Sequence, residues 1–204
     1  MKKLLILIVL LFGSISFTNA QYGDDAKEEN NCQDTIAVAA HFTFKGIPIN
    51  GSVSNFGNQL IADGFTKIAT NTYRGNFLRN DSVVTLVGDN NNMVWRVAAI
   101  MANTDTWSTL EASFNNYVNL YSEKYGTPAN LSKKFTSYKG DNPALKMIAL
   151  DNGECQYYAI WNLPQGSIEV RIVKGNKYAT GCIRVVYTDN VNKDKVHQSD
   201  LDEI

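Results

Sequence analysis

Apolar and polar positions divide the chain into two similar runs of elements. Ile36, Val38, Phe42 and Phe44 alternate loosely as a strand, which ends in the Gly- and Pro-bearing loop Lys45-Gly46-Ile47-Pro48-Ile49-Asn50-Gly51. Val53, Phe56, Leu60 and Ile61 then share one face at helical spacing, with Ser52 or Ser54 as N-cap and Gly64 as the left-handed stop. Strands follow over 66–73, 76–87 and 93–101, the last two joined by the turn residues Gly88-Asp89-Asn90-Asn91-Asn92. The second run opens on the clearest helix. Trp107, Leu110, Phe114, Tyr117, Val118, Tyr121 and Tyr125 recur at three- and four-residue steps between the cap candidates Asp105 or Thr106 and the stop at Gly126 and Pro128. An aromatic stripe at that spacing is expected to cover a core. After a polar connection, Asn142-Pro143 reads as an N-cap with proline at the first helical position, so a short helix is expected over 144–150, with a strand as the alternative. Strands over 154–163, 167–172 and 182–187 complete the run, jointed at Leu163-Pro164-Gln165-Gly166 and Lys174-Gly175-Asn176-Lys177.

The expected fold class is therefore α+β, a single domain over 35–191 in which helices pack on one sheet face. Its halves, about 35–102 and 103–191, read as degenerate helix-plus-antiparallel-sheet repeats of αβββ type, with Val94-Trp95-Arg96-Val97 matching Cys182-Ile183-Arg184-Val185.

The ends carry a different signal. Met1-Lys2-Lys3, the apolar stretch from Leu4 to Phe12 and Thr18-Asn19-Ala20 have the charged, apolar and small-residue order of a secretion signal over 1–20. The apolar run is shorter than the roughly 20 residues that span a bilayer, so no membrane insertion is expected after cleavage. No cysteine precedes Cys32 to accept a lipid. The expected location is the periplasm or the cell exterior. Residues 21–34 read as a flexible leader and 192–204 as a polar tail. Loss of Lys2 and Lys3 takes 19 basic residues to 17 against 20 acidic ones, moving the net charge from −1 to −3. With the basic residues scattered, nucleic acid is not an expected partner.

Candidate chemistry is sparse. Of the three cysteines Cys32, Cys155 and Cys182, the last two lie in strand-like runs, as buried thiols or as a pair. His41, in a strand, and His197, in the tail, are the only histidines, too few for a His-rich zinc site. Neither GxxxxGK nor GxGxxG occurs. The Asp and Asn residues of the turn after Gly88 lack the spacing of an EF-hand, and the tail acids Asp200, Asp202 and Glu203 read as solvating. No catalytic, cofactor or metal residue is assigned. What remains is a candidate interaction face of Arg96, Arg171 and Arg184 among the aromatic residues Tyr157 and Trp161, types enriched at interfaces. The leading expectation is a non-enzymatic binding protein for a protein or glycan partner. The alternative is a small envelope hydrolase that attacks polysaccharide or cell-wall material through two facing acids, and a third reading is a structural or assembly factor of the outer membrane.

The signal, the segment Phe42-Thr43-Phe44-Lys45-Gly46-Ile47-Pro48-Ile49-Asn50-Gly51, Val94-Trp95-Arg96-Val97, Glu123-Lys124-Tyr125-Gly126-Thr127-Pro128 and Val186-Tyr187-Thr188-Asp189 together resemble a group of small exported proteins of Bacteroides-type gut bacteria. That resemblance implies export and a bacterial source and brings no site residues with it. In outline the fold is similar to the tandem α+β folds of β-lactamase-inhibitor-like and peptidase-propeptide-like proteins, which implies architecture alone. Asp34-Thr35-Ile36 and Asp81-Ser82-Val83 resemble the short O-glycosylation signal of such bacteria.

Overall fold

The computed structural model describes residues 40–88 and 91–202. The expected signal over 1–20, the leader over 21–34 and Cys32 lie outside the described residues.

Among the described residues the fold is α+β, with four helices, one large antiparallel sheet and one small one. The small sheet pairs β1 (Thr43–Phe44) with β2 (Ile47–Pro48) around a turn in which Lys45 and Gly46 take φ of 51° and 81°. It is shorter than the strand expected there and stands apart from the main sheet. Its buried Phe44 stacks on Phe77 and meets the edge of Tyr187. Helix α1 (Val53–Ala62) starts where Ser52 Oγ accepts Asn55 N at 3.1 Å and stops at Gly64, whose φ is 89°.

Four strands follow where three were expected: β3 (Thr66–Ala69), β4 (Thr72–Phe77), β5 (Asn80–Gly88) and β6 (Val94–Met101). The break expected at 74–75 falls inside β4; the chain reverses instead at Thr70-Asn71 and at the two-residue turn of Leu78 and Arg79, at φ 49° and 65°, with Phe77 paired to Asn80. Such turns ordinarily announce themselves with Asn-Gly, and here no glycine marks the reversal.

Helix α2 (Trp107–Tyr125) buries its aromatic stripe, from Trp107 to Tyr121, as core. The segment read as a polar connection holds β7 (Asn130–Phe135), an edge strand whose Lys133 and Lys134 mask its β character. Helix α3 (Pro143–Asp151) begins on Asn142, whose Oδ1 accepts Ala144 N and Leu145 N at 2.9 and 3.3 Å. Strands β8 (Cys155–Leu163), β9 (Gly166–Lys174) and β10 (Gly181–Asp189) complete the sheet, in the order β3-β4-β5-β6-β10-β9-β8-β7. Two four-stranded meanders thus meet along β6 and β10.

Most of the segment read as a polar tail is helical. It forms α4 (Asn190–Asp202), because Asp189 Oδ2 accepts Asn192 N at 2.9 Å and the buried Asn192 amide donates to Ile49 O and Val94 O at 3.1 and 2.9 Å. An apolar stripe has no part in that anchoring.

Register defines the two faces, because directly opposed residues point the same way. Tyr73, Val84, Ala99, Val185, Val170 and Ala159 lie in one row across the sheet, and all six are buried. On that side Tyr121 and Phe114 of α2 pack on Trp161 and Tyr157, and Gly57 of α1 sits against Tyr73 with no room for a Cβ. Each such buried side chain contributes about 2 kcal/mol. Helix α4 departs from the one-sided arrangement: its Lys195, Val196 and Ser199 border a 280 Å³ hollow with Val87 and Trp95 at one end of the opposite face.

Candidate functional site

One residue along each strand, the row changes character. Arg74, Val83, Ile100, Arg184, Arg171, Tyr158 and Ser132 are opposed in turn from β4 to β7, on the face that α1, α2 and α3 leave open. Three arginines occupy one row in a chain of net charge −1.

The arginines are unequally neutralised. Arg171 Nε donates to Glu169 Oε1 at 2.8 Å, and its guanidinium lies 4.9 Å from the centre of the Tyr158 ring. Arg184 reaches the same carboxylate oxygen at 3.4 Å while its Nε, enclosed, has no hydrogen-bond partner among the described residues. One carboxylate therefore serves two guanidinium groups. Arg74 has no ion pair or hydrogen bond through its side chain among the described residues. Arg96 shares this face through its pairing with Thr188 but stands at the α4 end, its guanidinium 5.7 Å from the Trp95 ring.

Of the five residues expected to form an interaction face, the structure brings Arg96, Arg171 and Arg184 to one side. Tyr157 and Trp161 are corrected: they are 6 % and 1 % exposed and pack under α2. Their strand phase is the opposite of Tyr158, the residue that does share the arginine face. Tyr157 OH donates to Glu111 Oε1 at 3.0 Å and Trp161 Nε1 to Gly126 O at 2.8 Å, so their polar ends are spent inside the fold. Burial first, then that bond to Glu111, raises the Tyr157 phenol above its ordinary value.

Where β5 and β10 begin and β6 and β9 end, the open face deepens into a basin of about 640 Å³, within the usual 300–1,000 Å³ span of ligand sites. Val83, Ile100 and Cys182 supply apolar surface, Arg74, Arg184 and Lys174 cations, and Asp81 the one carboxylate among its lining residues. Asn103 Nδ2 donates to Asn176 Oδ1 at 2.7 Å at one end. In the sequence Arg74 stands out in no motif and Asp81 only in Asp81-Ser82-Val83, because the Leu78-Arg79 reversal bringing their strands together carries no turn signature.

Other candidates resolve into structure. His41 Nδ1 lies 3.0 Å from Asp189 Oδ2, the acid–histidine half of a hydrolytic triad. The described hydrogen bonds bring no Ser, Thr or Cys to the other ring nitrogen. Asp189 also accepts Phe42 N at 2.6 Å and Asn192 N at 2.9 Å, so the group clamps the chain at this point. Cys155 and Cys182 are free. They lie on strands separated by β9, in opposite phases, so the alternative of a bond between them is corrected. Burial pushes the Cys155 thiol up to about 11 and raises that of Cys182, which disfavours the reactive thiolate. Ser82 of the Asp81-Ser82-Val83 motif is buried and donates its hydroxyl to Gly75 O at 3.1 Å, whereas Asp34-Thr35-Ile36 lies outside the described residues. Among the described residues no group of three His, Cys, Asp or Glu side chains is placed to hold a metal ion, and no helix is long and apolar enough to cross a membrane.

Comparison with known proteins finds no protein family, no curated protein and no solved structure that matches this chain.

Proposed function

We propose that this chain is an exported protein of periplasm or cell exterior that works by binding, through the uncovered face of its eight-stranded sheet. The observation that carries the reading is the row from Arg74 to Tyr158, with three arginines beside a parallel row that is apolar and buried. Nothing in core packing calls for that charge, and an exposed ion pair contributes only about 0–1 kcal/mol to stability. Arginine beside tyrosine on an open surface is the side-chain chemistry of recognition. Export is supported by Lys2-Lys3, the apolar stretch after them and Ala20.

The two halves are read as degenerate repeats. Each is a helix followed by a four-stranded meander, the second interrupted by α3, and their last strands pair antiparallel along the middle of the sheet. The resemblance to small exported proteins of Bacteroides-type bacteria supports the same compartment.

The test is retention. Full chain immobilised as wild type and as the Arg171→Glu/Arg184→Glu variant is exposed to envelope polysaccharide and protein fractions. A component held by wild type and released by the variant is the expected result; equal retention, or none, overturns the reading. The hydrolase alternative needs two facing carboxylates, of which the basin's lining supplies one, Asp81; turnover of a glycan panel that disappears in Asp81→Asn would replace binding with catalysis.

A further inference from the structure

The binding reading leaves the ligand open, and the basin narrows it. Arg74 and Arg184 stand in the same row, separated by Val83 and Ile100. At the ordinary strand spacing of 4.7–4.9 Å their backbones are about 14 Å apart. Two guanidinium groups therefore border an apolar strip two strands wide, and both line the basin. Arg184 is held by one terminal nitrogen alone, at 3.4 Å from Glu169, and Arg74 has no side-chain partner among the described residues. A planar donor fork of this kind matches a carboxylate.

The acids facing these cations set the charge. Glu169 stands beside Arg171 and Arg184, Asp151 lies 3.5 Å from Lys174, and Asp81 lines the basin without an ion pair. Arg74, Arg171, Lys174 and Arg184 thus outnumber the three acids by one, enough for one carboxylate at a time in the basin. Asp81, unpaired, accepts hydrogen bonds from a hydroxylated neighbour, and the Asn103 and Asn176 amides offer both donors and acceptors.

Resting on the binding reading, we propose that this basin holds a uronate residue of an acidic glycan. The carboxylate sits against Arg74 and Arg184, the C–H face of the ring covers Val83 and Ile100, and the hydroxyls meet Asp81, Asn103 and Asn176. A singly charged, polyhydroxylated ring with one apolar face is the chemistry that uses all three parts of the basin.

Calorimetric titration of the full chain tests this with trigalacturonate, neutral maltotriose and hexaglutamate as probes. Trigalacturonate is expected to bind, more weakly at high salt, and at least about tenfold more weakly to Arg74→Gln and to Arg184→Gln, while Lys124→Gln on the far side binds as wild type. Arg74→Gln removes no intramolecular partner, so its unfolding midpoint should equal that of wild type. Equal binding of maltotriose, or full affinity in Arg74→Gln, overturns the assignment. Hexaglutamate bound in an Arg74-dependent way without trigalacturonate overturns the uronate and leaves the binding face standing. If no probe binds, the uronate falls, and the retention experiment on Arg171→Glu/Arg184→Glu decides the wider reading separately.

Discussion

The fully buried carboxylate of Asp189 accepts the backbone N–H of Phe42 at 2.6 Å, across 147 positions of sequence. The same carboxylate holds His41 and starts α4 through Asn192 N, so one side chain fastens the beginning of the described chain to its end. Asp189→Ala leaves two buried amide donors unsatisfied, and the expected loss is about 3 kcal/mol. Asp189→Asn, which keeps one accepting oxygen, should lose about half as much. Urea unfolding checks both, and a loss below about 0.5 kcal/mol for the alanine variant would show that α4 and the first strand hold without the clamp.

Tyr121 and Tyr187 share a hydroxyl hydrogen bond of 2.6 Å, closed off from water between α2 and β10. Burial is the main reason both phenols are raised above 10, and burial also lifts the Cys155 thiol to about 11. An acid whose folded pKa is raised keeps its proton in the native state while the unfolded chain loses it. Stability is therefore expected to be level below about pH 9 and to fall as pH rises through 9 to 11. Unfolding midpoints across that range measure it; a midpoint that rises with pH refutes the assignment. Tyr121→Phe should cost about 1 kcal/mol at neutral pH through the unpaired Tyr187 hydroxyl.

The placement of Cys155 and Cys182 on opposite faces predicts two protected thiols and no bond between them. In a Cys32→Ser background, a colorimetric thiol reagent at pH 7 should react slowly with the native protein and release two equivalents at once in guanidinium. Less than two equivalents in denaturant under non-reducing conditions would mean that these cysteines are oxidised.

Leu78 and Arg79 hold left-handed backbone in a two-residue turn without glycine, a conformation that costs roughly 1–2 kcal/mol per residue. Asn80 steadies the turn by donating to Leu78 O and to Tyr117 OH, each at 2.8 Å. Replacing Leu78-Arg79 with Asn-Gly should stabilise the protein by about 1–2 kcal/mol. A lower melting temperature would show instead that Leu78, at the edge of the Tyr121 and Tyr125 hollow, contributes more by packing than its backbone costs.

How much of this was legible follows from where each signal resides. Helix α2 was readable because Trp107, Leu110, Phe114 and Tyr121 repeat at a period set by the backbone alone. The alternation Ile168-Glu169-Val170-Arg171-Ile172 likewise announced that Glu169 and Arg171 share a face. Strand β8 presents aromatic residues on both phases, Tyr157 and Trp161 on one and Tyr158 on the other, so composition could not say which meets the arginines. That is decided by the pairing of Tyr158 with Arg171, a register that no single strand encodes. Helix α4 was hidden for a related reason. Its anchors are Asp189 and Asn192, polar contacts to loops far away in sequence, and its faces carry no apolar period to be found.

The seam between β6 and β10 also concerns how the chain reaches this structure. Ile100 and Arg184 are neighbours across it although 84 positions apart, whereas Phe77 and Asn80 close their hairpin within a single turn. Closing the longer loop costs on the order of 3 kcal/mol more chain entropy than closing the shorter one. The β4–β5 and β8–β9 hairpins are therefore expected to close before the long-range encounter along β6 and β10. A β-rich chain whose halves join through pairings this distant belongs with the slow folders.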